Sequence, residues 1–211
     1  MADLRSYIFL DSLQPQVASF FATVSGGFLP IAGQASLFVE ISPGMEINRV
    51  TDVALKSTSV TPGMQIIERM YGMLEVHSES QGEVRQAGEA ILNELGLKEE
   101  GRYKPVIYSS SVIRRISDHH TMLINRTRHG NMILPGHTLF TMECAPAAYA
   151  AFAANEAEKA ADINILEIRA FGSFGRIYLG GEEKDIEVAA KAAEAAILSV
   201  TGREMKGGSR G

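Results

Sequence analysis

The chain repeats itself. Gly33 and Gly136, Glu40 and Glu143, Pro43 and Pro146, Lys56 and Lys159, and Gly72 and Gly175 are each 103 residues apart. An offset held over about forty positions makes the chain two like units in tandem, and it must be settled before any secondary structure is assigned. The densest part of the unit is 165–181, ILEIRAFGSFGRIYLGG, where two strand-like runs flank a glycine-rich break at 171–175. Residues 61–78, TPGMQIIERMYGMLEVHS, have the same layout, with the break at 68–72. Further on, GEAIL at 88–92 corresponds to AEAAIL at 193–198 after a slip of one residue.

The repeat predicts units at 1–103 and 104–201 followed by a flexible polar tail at 202–211, with the charged stretch 98–104 as the link. A unit of about 100 residues holds a core but gains from a partner. The composition, 45% hydrophobic and 21% charged, is that of a globular chain rather than a disordered one. A net charge of −5 argues against a nucleic-acid partner, which calls for a basic face. The lone Cys144 cannot close an internal disulfide, which fits a reducing compartment. No apolar run is long enough to span a membrane, and the start, MADLRSYIFLD, lacks the apolar region of a secretion signal.

In the first unit, strands are expected at 4–11, 35–41, 65–67 and 73–76, and helices at 45–57 and 81–95. Gly96 is expected to cap the second helix. Residues 17–24 fit either state, 25–27 and 30–33 read as turns, and Pro62–Gly63 reads as a break. In the second unit, strands are expected at 105–109, 121–125, 138–144, 165–170 and 174–179, and helices at 147–161 and 182–200, with a basic turn at 126–130. Strands mixed with two helices per unit suggest an α+β fold, with helices on one face of an antiparallel sheet.

Enzyme chemistry finds no foothold. His119 and His120 are adjacent, and with His129 and His137 they lack the three- or four-residue spacing of a helical metal site. Gly172-Ser173-Phe174-Gly175 is too short for a nucleophile elbow, and Gly180-Gly181-Glu182 lacks the Lys of a phosphate-binding loop. Cys144 lies in an apolar run and reads as a packed thiol. No catalytic residue, metal or cofactor is expected. The turns between the paired strands differ: Glu68 and Arg69 set opposite charges side by side where the chain reverses. Spacing alone allows a solvated turn or one that lines a hole on a symmetry axis, where Arg supplies donors for anionic oxygens.

LRSYIFLDSLQPQ at 4–16, ISPGMEINRVTDVALK at 41–56 and IIERMYG at 66–72, with LINR at 123–126, AANEAEKA at 153–160 and GSFGRIYLGGEE at 172–183, carry a family resemblance. The chain resembles the bacterial microcompartment shell proteins of the tandem-domain class, and most of all the β-carboxysome member and its α-carboxysome relative. The resemblance covers about 4–201. It implies two circularly permuted shell domains per chain and a homotrimer that imitates a hexagonal ring. Such trimers tile with other shell proteins into a carboxysome facet in the cytoplasm, and two can stack around a chamber. It also implies a gated axial pore for phosphorylated metabolites of carbon fixation, with ribulose bisphosphate entering and phosphoglycerate leaving.

The family's gating pair falls on Glu68 and Arg69, with Met70 and Tyr71 completing the turn. Phe171, Gly172, Ser173 and Phe174 form its counterpart. Lys56 and Lys159 match the lysine that makes the lateral contact between tiles. The motif that completes that edge in single-domain members has no clear match here. The early first strand favours the β-type over relatives with a long leader. From the charge alone, any stacking face is expected to depend on polar matching and so on ionic strength. The alternative to a shell role is a soluble trimeric protein that binds small molecules, or a regulatory one, with the Glu68–Arg69 turn as its site.

Overall fold

A computed structural model describes residues 2–205. Each unit places four strands in one antiparallel sheet. β1 (Asp3–Leu10), β2 (Ala35–Ser42), β3 (Thr61–Glu68) and β4 (Tyr71–Ser78) lie in the order β1-β2-β4-β3. β5 (Val106–Ile113), β6 (Thr138–Ala145), β7 (Asn164–Arg169) and β8 (Gly175–Gly181) lie in the order β5-β6-β8-β7. The unusual backbone repeats with the sequence: cis peptides fall at Ser42-Pro43 and Ala145-Pro146, and positive φ at Gly33 and Gly136.

Each unit has three helices rather than two. They are α1 (Pro15–Val24), α2 (Ile47–Ser57) and α3 (Gln81–Leu95), then α4 (Asp118–Thr127), α5 (Tyr149–Ala160) and α6 (Glu183–Ser199). Strand alternation splits each sheet into two faces. Leu37, Val39, Ile41, Leu74 and Val76 meet Val50, Ala54, Val84, Ala87 and Ile91 of α2 and α3. On the other face Phe38 and Met73 join Phe20 and Phe21 of α1. Helices therefore cover both faces, where one was expected. Ser80 Oγ accepts the Glu83 N–H at the start of α3, and Gly96, at φ 65°, ends it as the expected left-handed cap.

Three local expectations are corrected. Residues 17–24 belong to α1, with Pro15 in its first turn and Val17, Ala18, Phe20 and Phe21 buried. Residues 121–125, expected as a strand, and the first two of the basic turn lie in α4. A short mixed run does not separate helix from strand by pattern; Ser117 does so here, its hydroxyl accepting the His120 N–H (3.4 Å). Pro62 and Gly63 do not precede β3 but sit in it, at a bulge between Pro62 and Met64. β3 is an edge strand, where a missing N–H is tolerated. A Cβ at residue 63 would collide with Oε2 of buried Glu75.

In the segment expected to be a tail, Arg203 bridges to Tyr103, pairs with Asp3 and lies over the Tyr103 ring at 4.2 Å. Residues 206–211 of that segment lie outside the described residues.

One continuous core joins the units. Phe20, Phe21 and Phe38 of the first share a cluster with Tyr149, Ala150, Ala153 and Ala157 of the second. The run of alanines on α5 lets α1 approach closely. Polar groups set its position: Glu158 accepts the N–H groups of Gln16 (2.8 Å) and Val17 (2.9 Å), which closes the N-terminus of α1 from the other unit. Asn155 Oδ1 accepts the Gln14 N–H at 3.0 Å.

Candidate functional site: paired turns and tile edges

β3 and β4 reverse over Arg69 and Met70, between the paired Glu68 and Tyr71. A two-residue hairpin loop calls for positive φ if its twist is to match the strands. Arg69 supplies it at φ 54°, and the residue 103 further on, Gly172, at 94°. Glycine takes this conformation freely, whereas an L side chain gives up about 1–2 kcal/mol. The second unit thus has the relaxed turn and the first keeps a strained arginine. A strained non-glycine residue retained at a turn points to a use for its side chain.

The two turns meet. Gly172 is buried, and a Cβ on it would stand 3.4 Å from Cγ of Glu68. Arg69, Met70 and Ser173 are exposed, and Glu68, Tyr71, Phe171 and Phe174 partly so. Behind them the two units use different contacts at matching positions. Arg5 lies over the Tyr71 ring at 3.6 Å, while its counterpart Tyr108 packs edge-on against Phe174 at 5.0 Å. Arg169 stands 5.1 Å from the Phe171 ring.

Arg5 also donates to Oε1 of Glu40 at 2.6 Å, and Oε2 of Glu40 accepts the Ala148 N–H of the second unit at 3.1 Å. Glu40 is fully buried. Burial pushes its carboxyl above the ordinary range, and the Arg5 charge opposes that. In the second unit Glu143 pairs instead with Arg176 at 2.6 Å. Within one chain, among the described residues, neither Glu68 nor Arg69 makes an ion pair, so the turn carries free charge above a braced base.

The two lysines differ. Lys56 ends α2, pairs with Asp52 (2.7 Å) and keeps 75% of its side chain exposed. Lys159 ends α5, pairs with Glu156 (2.9 Å) and with Asp11 of the first unit (3.3 Å), and keeps 34%. The structure thus ties Lys159 into the joint between units, where the repeat alone makes the two lysines equal.

The histidines do not converge. His119 and His120 lie in the first turn of α4, His129 Nδ1 is 3.0 Å from Glu167, and His137 Nε2 is 3.7 Å from Glu182. Among the described residues no three His, Cys, Asp or Glu come together as a metal site. Burial pushes the Cys144 thiol up to about 12, which leaves it protonated and inert at neutral pH. No helix of the described residues is long and apolar enough to cross a membrane.

Sequence reasoning missed Arg5, Gln16, Asn155 and Glu158, since each acts across a long separation and breaks no local pattern. Glu40 did leave a signal: an acid kept at the same place in both β2 and β6, in the middle of an apolar run.

Residues 4–101 match the family model described as the CsoS1D N-terminal domain. The chain is 58% identical to the carboxysome shell protein CcmP of Synechococcus elongatus, over 97% of this chain and 96% of that one. Among solved structures it is similar to the fused permuted hexameric shell protein MSM0275 of the RMM microcompartment, with 45% identity and a TM-score of 0.92 over 96% of this chain and 100% of that one. The double ringed trimeric shell protein MSM0271 of the same microcompartment gives 38% identity and a TM-score of 0.94 over 97% and 100%.

Proposed function

Because this chain belongs to the tandem-domain family of carboxysome shell proteins, we propose that three copies of it close into a pseudohexagonal shell tile around a gated pore. One observation carries the ring: what is buried at the joint inside the chain is bare at its two ends. Phe20 of α1 is 2% exposed, and its counterpart in α4, Leu123, is 58% exposed. Ala148, ahead of α5, is fully buried, and its counterpart ahead of α2, Met45, is 70% exposed. Two bare, complementary ends form a head-to-tail contact, and with two units per chain three chains complete a ring that looks sixfold. In that ring α4 of one chain covers α2 of the next as α1 covers α5. Light scattering after size exclusion should give three times the chain mass of 22.8 kDa. A stable monomer at micromolar concentration would sink the ring.

The units, about 1–103 and 104–201, then alternate around the axis, and so do their turns. Three Glu68–Arg69 turns and three turns built from Phe171, Gly172, Ser173 and Phe174 frame the opening. Among the described residues Glu68 and Arg69 find no partner within the chain, so their charges are free to pair across the opening and close it. With the side chains swung aside, an arginine ring remains, which favours phosphates over neutral solutes. Ribulose bisphosphate moving in and phosphoglycerate moving out fit that chemistry, and a bound anion competes with Glu68 for Arg69. The role is structural and selective rather than catalytic, within a carboxysome shell beside other shell proteins. The double ringed relative supports stacking of two tiles.

At the tile edge we assign the lateral contact to Lys56. Its stem is free to pack along a neighbouring tile while the ammonium reaches solvent or a carbonyl. Lys56→Glu should remove flat sheets from electron micrographs and leave the trimer intact. Sheets as extensive as the parent protein's would take Lys56 out of the edge. Lys159 makes a poorer test, since its substitution also breaks the pair with Asp11.

A further inference from the structure

We propose that each chain binds one nucleotide, an aromatic base carrying phosphate, in a cleft at the joint between its two units. The cleft holds about 430 Å3 and opens over β1, between α3 of the first unit and α5 with the end of α6 of the second. That is the size of a small-molecule site. It is built within one chain and shares no residue with the paired turns, so the proposal stands apart from the ring and the pore.

The floor is aromatic. Tyr7 and Phe9 stand two apart on β1 and so share a face of the sheet. Tyr149 and Phe152, three apart on α5, line the cleft from the second unit. The two tyrosines are buried, while Phe9 and Phe152 are partly exposed and offer ring surface. The repeat does not call for these rings. The residues 103 away are Ser110, Val112, Glu46 and Arg49, and Arg49 is taken up by Glu46 (3.0 Å) and by Glu94. The aromatic floor is thus particular to the joint inside the chain.

The rim carries charge of both signs. Arg85 and Glu89 sit one turn apart on the side of α3 that lines the cleft. Arg85 lies over the Phe9 ring at 3.8 Å, and among the described residues neither it nor Glu89 makes an ion pair. A guanidinium stacked on a ring keeps its in-plane N–H donors for a ligand. Arg102 is already committed: it donates to the carbonyls of Tyr7 (2.8 Å) and Thr201 (3.1 Å) and to Glu99 (2.6 Å). Burial, and then the charges of Glu99 and Glu89, push the Tyr7 phenol up to about 12, so it keeps its proton as a donor.

These groups select the ligand. A flat ring gains from the aromatic floor. The planar fork of Arg85 suits phosphate oxygens, which it can meet in a bidentate way. Glu89 when ionised only accepts, so the ligand must also bring a donor, as the amino group of a base or the hydroxyls of a ribose do. A nucleotide meets all three demands. Inorganic phosphate leaves the floor unused.

Isothermal titration calorimetry of the full chain with adenosine monophosphate (AMP), adenosine and inorganic phosphate tests this. AMP should bind once per chain, more tightly than adenosine and far more tightly than phosphate. Arg85→Ala should weaken AMP by roughly tenfold to a hundredfold and leave adenosine unchanged. Phe152→Leu keeps an apolar side chain in place and should weaken AMP and adenosine alike, by about fivefold or more. Arg69→Ala, at the pore, should bind AMP as the parent does. A parent that binds no AMP at about 1 mM overturns the proposal. So does an Arg85→Ala variant with the parent's affinity, or phosphate binding as tightly as AMP. Loss of AMP binding in Arg69→Ala also overturns it, because the ligand then belongs to the turns. A parent that sediments as single chains yet binds AMP fails the ring and leaves this site standing.

Discussion

Arg69→Ala should yield a trimer whose pore no longer closes and no longer prefers phosphorylated sugars to neutral ones. The turn contributes little to the core, since Arg69 and Met70 are exposed, so folding and assembly should be unchanged. The loss should appear in selection. A hydrogen bond from a charged donor is worth about 1.5–3 kcal/mol, so the flux ratio of ribulose bisphosphate to a neutral sugar across assembled shells should fall by roughly tenfold to a hundredfold. Arg69→Gly separates this from stability. It copies Gly172 and relieves a φ of 54°, so it should raise Tm slightly while losing the same selection. A crystal of Arg69→Ala with a closed opening, or flux ratios equal to the parent's, would remove Arg69 from the gate.

The largest loss of stability should come from Arg5→Ala. It leaves the Glu40 carboxylate buried against backbone N–H groups at Ala147 and Ala148, with no opposing charge. Breaking a buried pair in this way costs about 3–5 kcal/mol, or roughly 6–20 °C of Tm at this chain length. Glu40 also reaches across the joint inside the chain, so the docking of the two units should loosen with it. Arg5→Ala combined with Glu40→Leu should recover most of the loss, because an apolar pair leaves no stranded charge. The pH response has a definite sign. Burial holds the Glu40 carboxyl above its ordinary value and Arg5 opposes this. Without Arg5 the folded state binds the proton still more readily. The deficit is then largest where the carboxyl is ionised and narrows as pH falls through that raised value. A single variant as stable as the parent at neutral pH, or one whose deficit grows on acidification, would contradict the assignment.

Both sites depend on comparing the two units, and so does the account of what the chain discloses. The 103-residue offset was legible because it needs only identities: it paired Glu40 with Glu143 and the two turns with each other. It did not disclose that matching positions do unlike work. Lys56 and Lys159 read alike, yet Asp11 comes to one of them only after the chain has folded back on itself. Residues 121–125 read as a strand because five residues carry too little periodicity, and the Ser117 cap that makes them helical is a single hydroxyl.

What the sequence by itself determined is the doubling, the strand pairs with their turns, and α2, α3, α5 and α6. These follow from alternation, helical spacing and Gly or Pro punctuation, all of which act over a few residues. Only the tertiary structure decided that helices cover both faces of each sheet, that Gly172 lies against Glu68, and that Glu158 closes the N-terminus of α1. The reason is physical: burial depends on which surface the second unit happens to cover. Phe20 and Leu123 occupy the same place in the repeat, and one is core while the other is exposed.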